Sequence, residues 1–263
     1  MNMRNYIWLT CIRVWSGKVF LGITLLSILA VFFLIRLTHL PSHSNHWDSF
    51  FFVFSNPYVY FLLFLTSFLV IVQDIYQEGA LGVFIAARLT SKQHWLFARY
   101  IVVFLTAILI VFIVFGAAST ISIAVHGGDY SSEWSKVSSD LELSYTSFAA
   151  TLSPVQGMVL WFVRYFAGLL GVGLVYSTCC TLWKGRLFPF LMTATFLFTQ
   201  SLVNMSAIPG IGLIDISARY IYSYEISDGG WGLFLLKSHI PLLLFYTFLV
   251  LVNIYRLDEV EIE

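Results

Sequence analysis

Charge is what this chain has least of. Only 11% of its 263 residues are Asp, Glu, Lys or Arg, against about 25% in ordinary soluble domains, and mean hydropathy is +0.85. That excludes a soluble globular protein and points to a polytopic membrane protein. The 14 basic residues equal the 14 acidic ones, so no basic excess points to nucleic acid. Cysteine is scarce too. Cys11, Cys179 and Cys180 form no spaced disulfide framework, and a vicinal pair makes a poor structural bridge, so all are expected to be free thiols. Catalytic signatures are missing: there is no HExxH, no GxSxG and no pair of intramembrane aspartates. Without a GxxxxGK[ST] loop the chain does not hydrolyse nucleotide by that route, and any ATPase acting with it is another chain. The apolar run after the N-terminus has no small-residue cleavage site, so it is not expected to be a cleaved signal. No tandem repeat is evident.

What is present is a series of long apolar runs. Residues 19–35, 50–72, 100–125, 158–183, 187–203 and 231–255 each approach or exceed the roughly 17 to 25 residues that cross a hydrocarbon core. The expected fold is an all-α polytopic membrane protein with six transmembrane helices. Ahead of them, residues 1–18 hold Arg4, Arg13 and Lys18 and no acid. Ile7, Cys11, Val14 and Trp15 lie on one face there, as in a short interfacial helix. Between spans two and three lies a cytoplasmic segment, 74–99. A small extracytoplasmic loop is expected at 126–157, and Pro209, Gly210 and Gly212 predict a broken, re-entrant helix pair before the last span. If the N-terminus is cytoplasmic, the inner links hold Arg4, Arg13, Lys18, Arg88, Lys92, Arg99, Lys184, Arg186 and Arg256. The outer links hold Arg36, Lys136 and Arg219. The positive-inside bias therefore places both termini in the cytoplasm.

Three groups of residues could carry function. In the 74–99 segment, Arg88, Lys92 and Arg99 fall on one helical stripe and Asp74 pairs with Glu78 at a spacing of four. These charges either bind a partner or only enforce topology. Arg164 and Lys237, with His239 deeper, sit about six residues inside their spans, roughly 9 Å down. They either line a path for an anionic or amphipathic substrate or snorkel outward. His39, His43, His46 and Asp48 form a ligand-like cluster for zinc or copper, although Pro41 interrupts the helix that would align His39 with His43. The Ala167, Gly168, Gly171 and Gly173 face is expected to allow close helix approach.

The 74–99 segment also resembles the coupling-helix region of bacterial ABC transporter permeases of the type 2 exporter class. An acidic residue and glycine open an aliphatic stretch (Glu78-Gly79-Ala80-Leu81). A hydroxyl and basic pair follows (Ser91-Lys92), then a small residue and a base opening span three (Ala98-Arg99). Where the family commonly has a proline before the hydroxyl, this chain has Arg88-Leu89-Thr90. The resemblance implies a bacterial cytoplasmic-membrane permease that pairs with a second protomer, identical or related, within membrane lipid. It implies docking on two ABC ATPase subunits that bind ATP and Mg, with no cofactor in this chain. It also implies an ATPase-coupling role for Glu78, Gly79, Arg88, Ser91, Lys92 and Arg99, and outward movement of a lipid-like, peptide or drug-like substrate. The alternative is a non-transporting immunity, sensor or assembly protein that binds a cytoplasmic partner.

Overall fold

A computed structural model describes residues 2–37, 44–56, 58–76, 91–128, 133–134, 152–183, 185, 187–206 and 225–256, apart from the side chains of 62 and 201–239. Among the described residues every regular element is a helix. Helix α1 (Met3–Trp15) starts where the Asn2 side chain accepts the Arg4 N–H at 3.3 Å. It ends at Ser16, whose N–H returns to the Ile12 carbonyl. After a bend at Ser16 and Gly17, α2 (Lys18–Leu37) begins.

Span two was expected as one helix over 50–72, and the structure divides it. Helix α3 (His46–Ser55) is opened by a capping box in which Asn45 and Asp48 each accept the other's backbone N–H. It stops at Asn56, which is extended at φ −73° and ψ 118°. The cause is local: Asn56 precedes Pro57, and the proline ring pushes its predecessor out of the helical region. The chain resumes as a π-helical turn, Val59–Leu65, continuous with α4 (Thr66–Tyr76).

Helix α5 (Lys92–His126) has 35 residues, about 52 Å at 1.5 Å per residue. Gly127 ends it at φ +74° and ψ 174°, donating to the Ile123 carbonyl at 2.8 Å, a positive-φ conformation open to glycine because it has no Cβ. Helix α6 (Pro154–Leu182) starts four residues ahead of the expected span because Ser153 and Gln156 form a capping box and Pro154 occupies the first turn. Helices α7 (Leu187–Ser206) and α8 (Glu225–Arg256) follow, α8 with Pro241 in its interior. The expected re-entrant pair lies outside the described residues, as does most of the 126–157 loop. Among the described residues four helical stretches are long and apolar enough to cross a membrane: Lys18–Leu37, Val59–Tyr76, Lys92–His126 and Pro154–Leu182. That is the pattern of a membrane-embedded protein, to which α7 and α8 add apolar stretches at Leu187–Gln200 and Ile240–Arg256.

Helices α2 and α5 run in register. Trp15, just before α2, donates its indole N–H to Thr106 Oγ1 at 3.1 Å. Near the other end, Arg36 interacts electrostatically with His126. Helix α2 thus covers 107–126 of α5, and residues 92–106 continue past its start by about 22 Å. Helix α1 flanks that extension, because Tyr6 packs in one cluster with Trp95, Leu96 and Ala98. The ends of α4 and α8 are here too, so the first and last described helices meet at the end from which residues 77–90 depart.

Toward the opposite end the core is aromatic. Phe54 lies 4.3 Å from Phe115, Tyr165 lies 4.7 Å from both Tyr60 and Phe64, and the Tyr165 hydroxyl donates to the Phe54 carbonyl at 2.7 Å. That last bond satisfies a carbonyl near the break after Ser55, where the helix no longer does so. The glycine face of α6 packs as its composition predicts. A Cβ on Gly173 would collide with Val103 of α5, and one on Gly171 would lie 2.6 Å from the Tyr246 hydroxyl of α8. Tyr246 in turn donates to the Ala167 carbonyl at 2.6 Å. Gly171→Ala is therefore expected to displace Tyr246 and cost about 1 to 3 kcal/mol of overpacking, read as a lowered melting temperature in detergent. Gly22→Ala, where a Cβ meets nothing within 4 Å, is expected to leave that temperature unchanged.

Candidate functional site

The last turn of a helix leaves carbonyls with no N–H from its own helix, and the end of α4 is where the chain enters 77–90. Two arginines from elsewhere hold those carbonyls. Arg13 of α1 donates through Nη2 to Asp74 O at 3.0 Å and Ile75 O at 3.3 Å. Arg99 of α5 donates through Nη2 to Tyr76 O at 3.4 Å. The Arg99 guanidinium is also held between rings, 3.6 Å from the Trp95 centroid and 4.7 Å from that of Tyr76. Each desolvated cation–π contact is worth about 2 kcal/mol, and positive charge at a helix C-terminus is favoured by the peptide dipoles. Three consecutive carbonyls of α4 are thereby tied to α1 and α5.

A second set of polar contacts closes the same end. Asn253 of α8 is fully buried; its Nδ2 donates to the Tyr100 hydroxyl of α5 at 2.7 Å, and its Oδ1 accepts from Thr181 of α6 at 2.9 Å. Tyr76 meets Tyr176 of α6 edge-on at 5.5 Å. The base of 77–90 is thus fastened to α1, α4, α5, α6 and α8. Within an apolar bundle such side-chain bonds contribute about 0.6 to 2 kcal/mol each.

The expected coupling residues divide accordingly. Glu78, Gly79 and Arg88 lie outside the described residues. Ser91 is the N-cap of α5, extended at φ −159° and ψ 157°, and its Oγ accepts the His94 N–H at 3.2 Å and pairs with His94 Nδ1 at 2.6 Å. The single helical stripe expected through Arg88, Lys92 and Arg99 is therefore broken at Ser91, because a capping residue leaves the helical region. Lys92 is half-exposed on the first turn of α5. Arg99 is only 5% exposed and braces the segment's root.

Arg164 lies ten residues into α6, about 15 Å along the helix, and is 2% exposed. The earlier helix start sets Arg164 deeper in the helix than expected, and protein encloses it. It interacts electrostatically with Tyr246, as does Tyr60. Positions 237 and 239 belong to α8, but the side chains of Lys237 and His239 are outside the described residues.

For the metal cluster, His39 and His43 are outside the described residues. His46 is fully buried with its ring 4.7 Å from that of Trp47. The Asp48 carboxylate accepts the Asn45 N–H at 2.8 Å as part of the helix cap. Among the described residues no group of three or more His, Cys, Asp or Glu could hold a metal. His126 instead pairs with Ser49, Nε2 to Oγ at 2.6 Å.

The chain matches no protein-family model, no curated protein and no solved structure. The site rests on its own geometry.

Arg13, Asn253 and Thr181 are the contributors that sequence reasoning missed. Asn253 carried a signal, an amide inside the apolar run of α8, where such groups usually bond across helices. Arg13 carried none, since its acceptors are backbone atoms 61 and 62 residues away.

Arg99→Ala is expected to speed amide hydrogen exchange in 91–100 and to destabilise the protein by about 2 to 4 kcal/mol, the sum of a ring contact and a charged hydrogen bond. Arg13→Ala is expected to loosen α1 while sparing Asn253 and Tyr100, which exchange-mass spectrometry resolves by segment. Burial pushes the Cys11 thiol from its usual 9.0 up to about 11. At neutral pH its thiolate fraction is then about a hundredfold below that of an unperturbed cysteine. Maleimide labelling at Cys11 is expected to be slower by a similar factor in folded protein and to become rapid on denaturation.

Proposed function

We propose that this chain is the transmembrane subunit of an ATP-driven exporter of the type 2 ABC class, with six spans and both termini in the cytoplasm of a bacterial cell. The observation that carries the reading is the brace at the root of 77–90. Arg13 and Arg99 hold the α4 carbonyls, and Asn253 joins α5, α6 and α8 at the same end. A force applied to the segment by a docked ATPase would be shared among five helices and would not bend one loop. Residues 78–92 supply the docking surface in this scheme, Lys92 among them, and Arg99 acts behind it. ATP and Mg are held by two partner subunits. A second protomer, identical or related, completes the path for a lipid-like, peptide or drug-like substrate. Arg164, enclosed in the bundle with the Tyr246 hydroxyl nearby, is the described candidate for a path-facing charge, with Lys237 and His239 as further candidates.

The same brace would also steady a docking segment on a static scaffold, as in an immunity, sensor or assembly protein, so the test must separate binding from coupling. Affinity purification of the tagged chain in mild detergent is expected to bring down a protein with a Walker motif in equimolar amount. Lys92→Glu is expected to weaken that association about tenfold, in line with the loss of about 1.4 kcal/mol from a charged contact. Arg99→Lys keeps the charge and loses the planar fork; it should preserve association while lowering ATPase activity in the complex. A partner without an ATPase fold, or ATP turnover indifferent to Arg99→Lys, would reject the exporter assignment.

A further inference from the structure

The polar end of the bundle holds more hydroxyl groups than its hydrogen bonds use. Ser177 of α6 is fully buried, the Tyr76 hydroxyl of α4 is buried too, and among the described residues neither oxygen has a hydrogen-bond partner. Native interiors leave few polar groups in that state, so two of them side by side need a reason. Ser177 lies close enough to the hydroxyls of Tyr76 and of Tyr100 on α5 to act on both, without a well-directed bond to either. Tyr100 already accepts from Asn253 Nδ2 at 2.7 Å. Asn253 in turn accepts from Thr181, which is one turn beyond Ser177 on the same face of α6. The rings of Tyr76 and Tyr176 meet at 5.5 Å. Three hydroxyls from three helices thus converge on one space between α4, α5 and α6.

The charge at this space is positive. Arg99 is 5% exposed, its guanidinium lies 4.7 Å from the Tyr76 ring centroid, and it is the ionised group that acts on Tyr76, Tyr176 and Cys180. A hydroxyl can accept from one neighbour and still donate its own hydrogen. Tyr100 has Asn253 at its oxygen, so what it offers the space is its hydrogen. Hydroxyl hydrogens beside a guanidinium suit an electron-rich guest, whereas a cation would be repelled by Arg99. The guest is small, because Ser177 stands near both phenols at once. Arg99 Nη2 is already engaged with the Tyr76 carbonyl at 3.4 Å, which removes one prong of the fork that carboxylates and phosphates prefer. A monatomic anion needs no such fork.

We propose that the hydroxyls of Tyr76, Tyr100 and Ser177, with the Arg99 guanidinium beside them, bind one halide ion of chloride size at the root of 77–90. Tyr76 and Tyr100 belong to the helices on either side of that segment, and Ser177 belongs to α6. The ion therefore joins the three helices through side chains, where the arginine brace joins them through backbone carbonyls. A water molecule in the same space would satisfy the hydroxyls but would leave the charge of Arg99 without a counter-ion there. The inference goes beyond the exporter reading and does not depend on it.

The test uses the full chain purified in detergent, with radiolabelled chloride as the probe in a scintillation proximity assay. The expected result is saturable binding of one chloride per chain, displaced by excess bromide and not by gluconate. Replacing gluconate with chloride at equal ionic strength should also raise the melting temperature by about 3 °C once chloride is in tenfold excess over its Kd. Ser177→Ala and Tyr76→Phe each remove only a hydroxyl and should weaken chloride binding about tenfold. Ser122→Ala removes another buried hydroxyl without a partner, about 34 Å along α5 from Arg99, and should leave the binding unchanged. The proposal is overturned if the parent chain shows no saturable chloride binding, the outcome expected of water alone. Binding that is unchanged in both hydroxyl variants, or chloride that sulfate or phosphate displaces better than bromide does, overturns it equally. None of these readouts requires an ATPase partner, so their failure is distinct from failure of the exporter reading.

Discussion

The carbonyls at the end of α4 set the constraint around which this end of the molecule is built. Where a helix stops, its last carbonyls need donors from outside its own backbone. Here the donors are Arg13, from a helix that does not span, and Arg99, from the helix after the segment. Both are long enough to reach across a helix and carry several N–H groups, which lysine could not match in fixed geometry. The consequence is architectural. If α1 leaves the bundle, or α5 shifts along its axis, the bonds to the Asp74, Ile75 or Tyr76 carbonyls are given up. Asn253 then transfers the same restriction to α6 and α8 through Thr181 and Tyr100.

Much of the fold was legible because apolar length is a local property. The runs that became α2, α5 and α6 were visible in composition, and α6 starts earlier because the cap at Ser153 and Gln156 was overlooked. What was not legible depends on contacts between distant residues. Asn56, extended ahead of Pro57, divides the second apolar run, and the aromatic residues of α3 are drawn into the core by partners far away in sequence, such as Phe115. The face of α1 that enters the protein was chosen by periodicity, but a helix with apolar residues on both sides gives two answers to that question. The depth of Arg99 was hidden for a similar reason. A cation next to a charged segment looks solvated until Trp95 and Tyr76 are seen to enclose it.

The two deeply buried arginines show how position decides what a charge costs. Arg99 lies on the part of α5 that runs past α2, about 10 Å short of Thr106 along the helix axis. There its guanidinium is close to water and headgroups, and the desolvation cost is offset by ring faces and a carbonyl. Arg164 is next in sequence to Tyr165, whose ring packs 5.2 Å from Phe115. Phe115 is nine residues above Thr106 and eleven below His126, about 14 and 16 Å, so Arg164 sits near the middle of the layer that α2 covers. A charge there costs about 2.5 to 3.5 kcal/mol on insertion scales. The cost is not relieved by reaching outward, because the side chain is only 2% exposed, with Tyr246 of α8 among its neighbours.

Movement of the bundle is therefore cheaper at one end than in the middle. Sliding α5 against α4 would exchange the Arg99 carbonyl bond for one to water or a headgroup, a small net change. Sliding α6 against α8 would drive Tyr246 into the backbone of Gly171 and remove its bond to Ala167 while Arg164 stayed in low dielectric. The packing penalty there is steep, because close contacts at glycine leave no room to adjust. Small displacements would thus be taken up first at the arginine brace, with α6 and α8 moving as one body.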